Sequence, residues 1–366
     1  MREGWEYKKF ENCIVKSPKL KQVKKEAYNN GSQYPIISQE EKFISGYCDD
    51  ESIVCHIDRP IVVFGDHTRV LKYIDFDFVV GADGVKVIIP IKSIDSKFLL
   101  YFLQWYNIPN LGYSRHYKLL KDVMVPIPNC TTQLSIVSEL DKLNELIQIK
   151  KEQLKDYDAL AQSIFYEMFG DPVVNEKGWE VKTFGECFSI GAGGTPSTKV
   201  KEYWDNGTIP WIGSNMCQNC IITETDGKFI TEEGLTYSST KLLAPGTVLV
   251  ALVGATIGKV GLLRIETCTN QNVAFIKVQE TETFTSEFVY YHLMGLYGEF
   301  MKIGQGNFKM ANQGFIKLLP ISLPPLPLQQ SFAQKIEQIE QQKAAIQKTI
   351  TDLETLLAAR MQYWFD

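Results

Sequence analysis

The chain has 366 residues, 45% hydrophobic and 22% charged, with 38 basic against 43 acidic side chains and a formal net charge of −5. That length and composition predict two or three globular domains with sizeable cores. No apolar run reaches the roughly 18 residues a membrane-spanning helix needs, and the opening MREGWEYKKF lacks the apolar centre of a secretory signal, so a cytoplasmic protein is expected.

The first block opens with Trp5-Glu6-Tyr7-Lys8-Lys9-Phe10. Apolar runs at Ile61–Phe64 and Val85–Ile89 predict strands, and Ser96–Tyr106 predicts a helix with Ser96 as its N-cap. Pro126 and Pro128 then introduce a long stretch, 131–169, free of Pro and Gly. After it the order starts again. Trp179-Glu180-Val181-Lys182-Thr183-Phe184 repeats the opening at an offset of 174, and Ile209-Pro210-Trp211-Ile212 repeats Tyr34-Pro35-Ile36-Ile37 at 175. Strands are predicted at Thr247–Val253 and Val273–Val278, and a helix at Ser286–Tyr297 capped by Ser286. The segment from Gln133 returns from Gln329, offset 196. The chain is thus two copies of one unit, a globular block followed by a long helix.

Both long stretches carry a seven-residue apolar repeat. The first places Leu140, Leu143, Ile147, Leu154 and Tyr157 on one seam; the second places Ile336, Ile339, Ile346, Ile350 and Leu353 there. Such a seam predicts a coiled coil, and about 36 residues make a rod of roughly 54 Å. Lys150, Lys343 and Arg360 interrupt it; they either fix register or contact a partner, or simply face solvent.

The acidic excess is uneven. Residues 1–129 carry 18 basic and 16 acidic side chains and residues 179–328 carry 11 and 13, whereas 130–178 carry 5 and 9. Catalytic signatures are missing. Gly254–Lys259 reads GATIGK, one residue short of a phosphate-binding loop and followed by Val260. Of four histidines, His56, His67, His116 and His292, none adjoins a nucleophile motif. Asp75 and Asp77 read as solvent-facing strand carboxylates. Eight scattered cysteines read as reduced thiols, and the one Cys217-x-x-Cys220 lacks a second pair, so no metal site is expected.

The second block runs through Gly193-Gly194-Thr195-Pro196-Ser197, Tyr203-Trp204, Ile209-Pro210-Trp211-Ile212, Gly254–Gly261 and Asn270-Gln271-Asn272 to Leu323-Pro324-Pro325-Leu326-Pro327. This order resembles the specificity subunits of Type I restriction-modification systems, over the whole chain. The first block departs from it, with Ser17–Lys25 where the second has GGTPS. The resemblance implies an α+β fold: two mixed target-recognition domains, 1–129 and 173–325, separated by two long antiparallel coiled-coil helices in regions 130–172 and 326–366, with pseudo-two-fold internal repetition. It implies a non-catalytic subunit that binds double-stranded DNA, each domain reading half of a split site. Two methyltransferase subunits would dock on the helices, with two restriction-translocase subunits in a nuclease form. S-adenosylmethionine, ATP and magnesium would belong to those partners. A repeat scaffold that binds only protein is the competing reading.

For DNA reading, Lys and Arg suit phosphates, while Arg, Asn, Gln, Ser and Thr suit base edges. Three loops per block supply candidates. The first gives Lys19, Lys21, Lys24 and Lys25, matched by Thr195, Ser197 and Lys199. The second gives Arg69, matched by Lys259. The third gives Arg115, His116, Tyr117 and Lys118, matched by Asn307, Lys309, Asn312 and Gln313.

Overall fold

The computed structural model describes residues 2–17, 20–29, 33–81, 84–112, 114–303 and 310–366. The chain divides into two compact units, Met1–Glu152 with Gln347–Asp366, and Gln153–Ile346. The division cuts both long helices, Cys130–Phe169 and Leu326–Phe365, rather than separating helix from block. The reason is burial: each block covers the apolar residues at its own end of the helices.

In unit 1, Glu6–Lys9 pairs antiparallel with Met124–Ile127, so the strands entering and leaving the block form one ladder. Between them lie two four-stranded sheets. One is antiparallel, in the order Ile14–Val15, Val85–Pro90, Ile61–Gly65, Leu71–Ile74. The other orders Gly46–Cys48, Tyr34–Ile37, Phe78–Val80, Val54–Cys55 around a parallel central pair. Strand Ile61–Gly65 is buried throughout, as a continuous apolar run requires. The helix Ser96–Tyr106 buries Phe98, Leu99, Phe102 and Leu103, and the rings of Phe98 and Phe102 meet Phe365 at 5.5 and 5.7 Å.

Unit 2 repeats the plan. Val181–Thr183 pairs with Pro320–Ser322. The antiparallel sheet runs Ser189–Ala192, Val273–Lys277, Val248–Ala251, Val260–Leu263, and gains a fifth, parallel strand, Cys220–Ile222. The second sheet orders Phe229–Ile230, Ile209–Ile212, Thr267–Thr269, Leu242–Leu243, again with a parallel central pair. Helix Ser286–Gly295 occupies the place of Ser96–Tyr106. Phe165 meets Phe332 at 5.6 Å, and Phe169 meets Phe288 at 4.9 Å.

The N-caps lie one residue earlier than expected. Asp95 and Thr285 accept the first-turn N–H groups, while Ser96 and Ser286 turn their hydroxyls to the carbonyls of Pro60 and Gly246. Both residue types can cap, so the sequence alone does not separate them.

Within each unit the two long-helix segments run antiparallel. In unit 1 Arg360 pairs with Glu139 and Lys151 with Glu354. In unit 2 Lys343 reaches Asp158 at 2.7 Å and Glu340 at 3.0 Å. Leu140, Ile147, Ile336, Ile339, Ile346 and Ile350 are buried, and Leu143, Leu154, Tyr157 and Leu353 half-buried. Lys343 and Arg360 therefore make cross-helix ion pairs instead of facing solvent; Lys150 is half-buried.

Candidate nucleic-acid interface

In unit 1 the second and third candidate loops meet at Asp66, and the first is tied separately to strand Phe78–Val80. Gln22 bridges to Val80, and Val23 N–H donates to the Val80 carbonyl at 3.0 Å, which ties the first candidate loop to the end of strand Phe78–Val80. Lys21, Lys24 and Lys25 are exposed, and Lys25 pairs with Glu40 at 2.9 Å. Arg115 and Lys118 are exposed as well. Lys19 lies outside the described residues.

Two expected contacts are turned inward. His116 is 0% exposed; one ring nitrogen meets the Asp66 carbonyl at 2.9 Å and the other accepts the Leu111 N–H at 3.0 Å. With both nitrogens committed to backbone, His116 shapes its loop and is removed from the residues that could touch a base. Arg69 adopts φ +64° and folds its guanidinium onto the Ile108 carbonyl at 2.8 Å. It ties a hairpin to the end of a helix, so its charge is not offered as an open fork. Tyr117 is half-buried, packing edge-on against Phe10 at 6.1 Å, while Asp66 accepts its backbone N–H at 2.8 Å.

Three residues missed in the sequence organise this rim. Asp66, 2% exposed, receives Tyr117 and anchors His116. Lys72, 4% exposed, donates to the carbonyls of Ser38, Lys42 and Phe43 at 3.0, 2.6 and 3.2 Å and so closes the loop Ser38–Phe43. Burial lowers its pKa. Gln39 accepts from His67 N–H through its side chain and from Thr68 through its carbonyl. Polar residues that turn inward on a short strand or in the turns beside it carry no sequence signal that separates them from exposed ones.

In unit 2 the Gly193–Ser197 loop is held by two tryptophans. Trp211 Nε1 donates to the Gly194 carbonyl at 2.9 Å, and Trp204 Nε1 to the Ser197 carbonyl at 3.2 Å. A Cβ on Gly194 would lie 2.6 Å from the Thr240 nitrogen, so only glycine fits. Thr195, Ser197 and Lys199 are exposed, and Thr195 Oγ1 donates to Gln271. Gly254–Lys259 is a hairpin between the antiparallel strands Val248–Ala251 and Val260–Leu263, with Gly258 at φ +74°. A phosphate loop instead joins a strand to a helix. Lys259 donates to Gln218 at 2.7 Å. Asn312 caps the helix Gln313–Leu318 through Phe315 N–H at 2.9 Å, which commits its acceptor; Gln313 is half-buried. Asn307 and Lys309 lie outside the described residues.

The rims differ in chemistry: cations dominate in unit 1, hydroxyls and amides with Lys199 and Lys259 in unit 2. Among the described residues no group of three His, Cys, Asp or Glu could hold a metal, and no helix is long and apolar enough to cross a membrane. All eight cysteines are free thiols. Burial pushes the Cys217 thiol far above its ordinary range.

The fold resembles solved structures along its whole length. A chain from a structure of a type I R-M system, described for its complex assembly and conformational transition, aligns over 100% of this chain and 98% of its own, with TM-score 0.58 and 16% identity. The S subunit of a Type-I restriction-modification system from M. genitalium aligns over 99% and 96%, with TM-score 0.58 and 14% identity. In sequence, the specificity subunit of the Type I restriction enzyme EcoR124I/EcoR124II from Escherichia coli is 27% identical over 293 residues, 75% of this chain and 70% of that protein. The family described as Type I restriction modification DNA specificity domain matches twice, at residues 2–156 and 176–355. Two matches, one on each copy of the repeated unit, place the chain in the family of Type I restriction modification DNA specificity domain proteins.

Proposed function

We propose that this chain is the DNA-recognition subunit of a Type I restriction-modification complex, in which each block reads one half of a split double-stranded site. The observation that carries the reading is one scaffold presenting two different rims. The same strand order supports exposed Lys21, Lys24, Lys25, Arg115 and Lys118 in unit 1 and exposed Thr195, Ser197, Lys199, Gln218 and Gln271 in unit 2. Lysines without interleaved aromatics suit phosphates; amides and hydroxyls suit base edges.

In this reading the chain performs no chemistry. Methyltransferase subunits dock on the long helices, and S-adenosylmethionine, ATP and magnesium act in those subunits and in any restriction subunits. The net charge of −5 fits such sharing, because phosphate neutralisation supplies most non-specific affinity and a partner would provide much of it. The helices join the two blocks and so set the distance between half-sites.

The test is a block exchange. Residues 179–320 are replaced by the equivalent block of a relative, and modified adenines are mapped in cells that also make the partner subunits. One half of the target changes and the other stays. A change in both halves, or in neither, would falsify the assignment.

A further inference from the structure

Each long helix carries a glutamine at its fourth residue, Gln133 in Cys130–Phe169 and Gln329 in Leu326–Phe365. They are 1% and 0% exposed. Gln133 donates Nε2 to the carbonyls of Ser93 at 2.9 Å and Pro128 at 2.8 Å, and its Oε1 accepts the Asp95 N–H at 2.8 Å. Gln329 donates to Thr283 at 3.1 Å and Pro324 at 2.9 Å, and accepts the Thr285 N–H at 3.0 Å. Asp95 and Thr285 are the N-caps of the blocks' buried helices. One amide therefore joins three segments: the exit from the block's last strand, the cap of its central helix, and the first turn of the long helix.

A buried amide must find its partners or cost stability. Met or Leu would fill a similar volume without that demand. Yet the same three contacts occur in both units, although Ser93 gives way to Thr283 and Asp95 to Thr285. Apolar packing resists separation but permits sliding; three directional bonds on one side chain also fix an angle.

We propose that Gln133 and Gln329 are positioning residues for DNA recognition: each locks the angle between a block and its long helix, and this lock confers selectivity for half-site spacing. The inference rests on the reading that the two blocks recognise two half-sites. Rigid support of this kind separates a site held in productive geometry from one that is present but loose.

Gln133→Met and Gln329→Met keep the volume and remove the bonds. The full chain is produced with its methyltransferase partners, the site is mapped from modified adenines, and binding is measured on duplexes with altered spacers and with base changes in either half. The Met variants keep base discrimination within each half and lose about ten-fold of their discrimination between spacers, the equivalent of one buried hydrogen bond. Unchanged spacer discrimination with a lowered melting temperature would show an ordinary structural role and overturn the proposal. So would joint loss of base and spacer discrimination. If the Met variants do not fold, Gln133→Glu decides. It keeps the acceptor but sets a carboxylate against two carbonyls, so acid restores a donor and spacer discrimination recovers at lower pH. A pH-independent result overturns the proposal. If the parent protein has no split site, the underlying reading falls. If it has one and the variants behave as the parent, only the glutamine inference falls.

Discussion

Phe102 in unit 1 and His292 in unit 2 occupy equivalent places in the repeat. Phe102 is 1% exposed and packs against Phe365 at 5.7 Å. His292 is equally buried, 5.5 Å from Phe288, and bonds the Pro320 carbonyl at 3.0 Å on the ladder that closes its block. Burial drives its pKa down to about 4, and the bond to Pro320 opposes the fall only in part. Folded unit 2 thus keeps the imidazole neutral, whereas the unfolded chain protonates it near pH 6.5. The contribution of this histidine to stability is complete above that value and is lost as the pH falls towards 4. In unit 1 one acid-sensitive group at the helix pair is Glu139, whose carboxyl is held below its usual range by a hydrogen bond from Arg360. That contribution persists until the pH enters the carboxylate range. A shared strand order therefore coexists with a chemical difference at one equivalent core position, where one ring can be protonated and the other cannot.

The comparison breaks most visibly at the aromatic core of unit 2. Phe165→Ala removes contacts with Phe169, Phe288 and Phe332 and should cost about 3–5 kcal/mol. Hydrogen exchange should show the loss in strand Val248–Ala251 and spare Ile61–Gly65. Equal loss in both strands would mean that the units unfold together. Next in size, His292→Phe should flatten the acid dependence of unit 2 by roughly 3 kcal/mol between pH 6.5 and pH 4. Urea unfolding across that range reads the slope, and a parental slope would assign the acid sensitivity to other groups.

Changing Lys21, Lys24 and Lys25 together to Ala sharpens the contrast between rims. DNA binding should weaken on every sequence, and the salt slope should fall by about two to three. A loss confined to one base position would reassign these lysines to readout. The smallest effect belongs to Trp211→Phe, which removes the bond to the Gly194 carbonyl. About 1 kcal/mol of affinity should disappear from the half-site read by unit 2 and none from the other. Binding to duplexes with one scrambled half separates the two.

The periodic parts of the molecule were legible in advance. The seam from Leu140 to Leu353, the helix Ser96–Tyr106 and strands such as Val273–Lys277 follow from spacing alone. The repeat was legible because Trp5 and Trp179 begin parallel series. The rims were less so. Arg69 and His116 have the residue types of DNA contacts, but a left-handed backbone at one and paired backbone partners at the other turn them inward. Lys72 has the type of a surface lysine and is buried because three carbonyls of one loop surround its ammonium. Direction relative to a loop is set by tertiary hydrogen bonds, which no local pattern encodes.

The ladder between Glu6–Lys9 and Met124–Ile127, with its counterpart between Val181–Thr183 and Pro320–Ser322, has a consequence for heredity. Entry and exit of each block sit on adjacent strands, so everything between them forms a cassette on a two-strand stem. Genetic exchange with crossovers in the two stem-coding segments would replace a whole rim and leave the sequence of the long helices unchanged. New specificity in such a gene can arise by substitution of one cassette in a single event, provided that the incoming block keeps the residues that meet the helices.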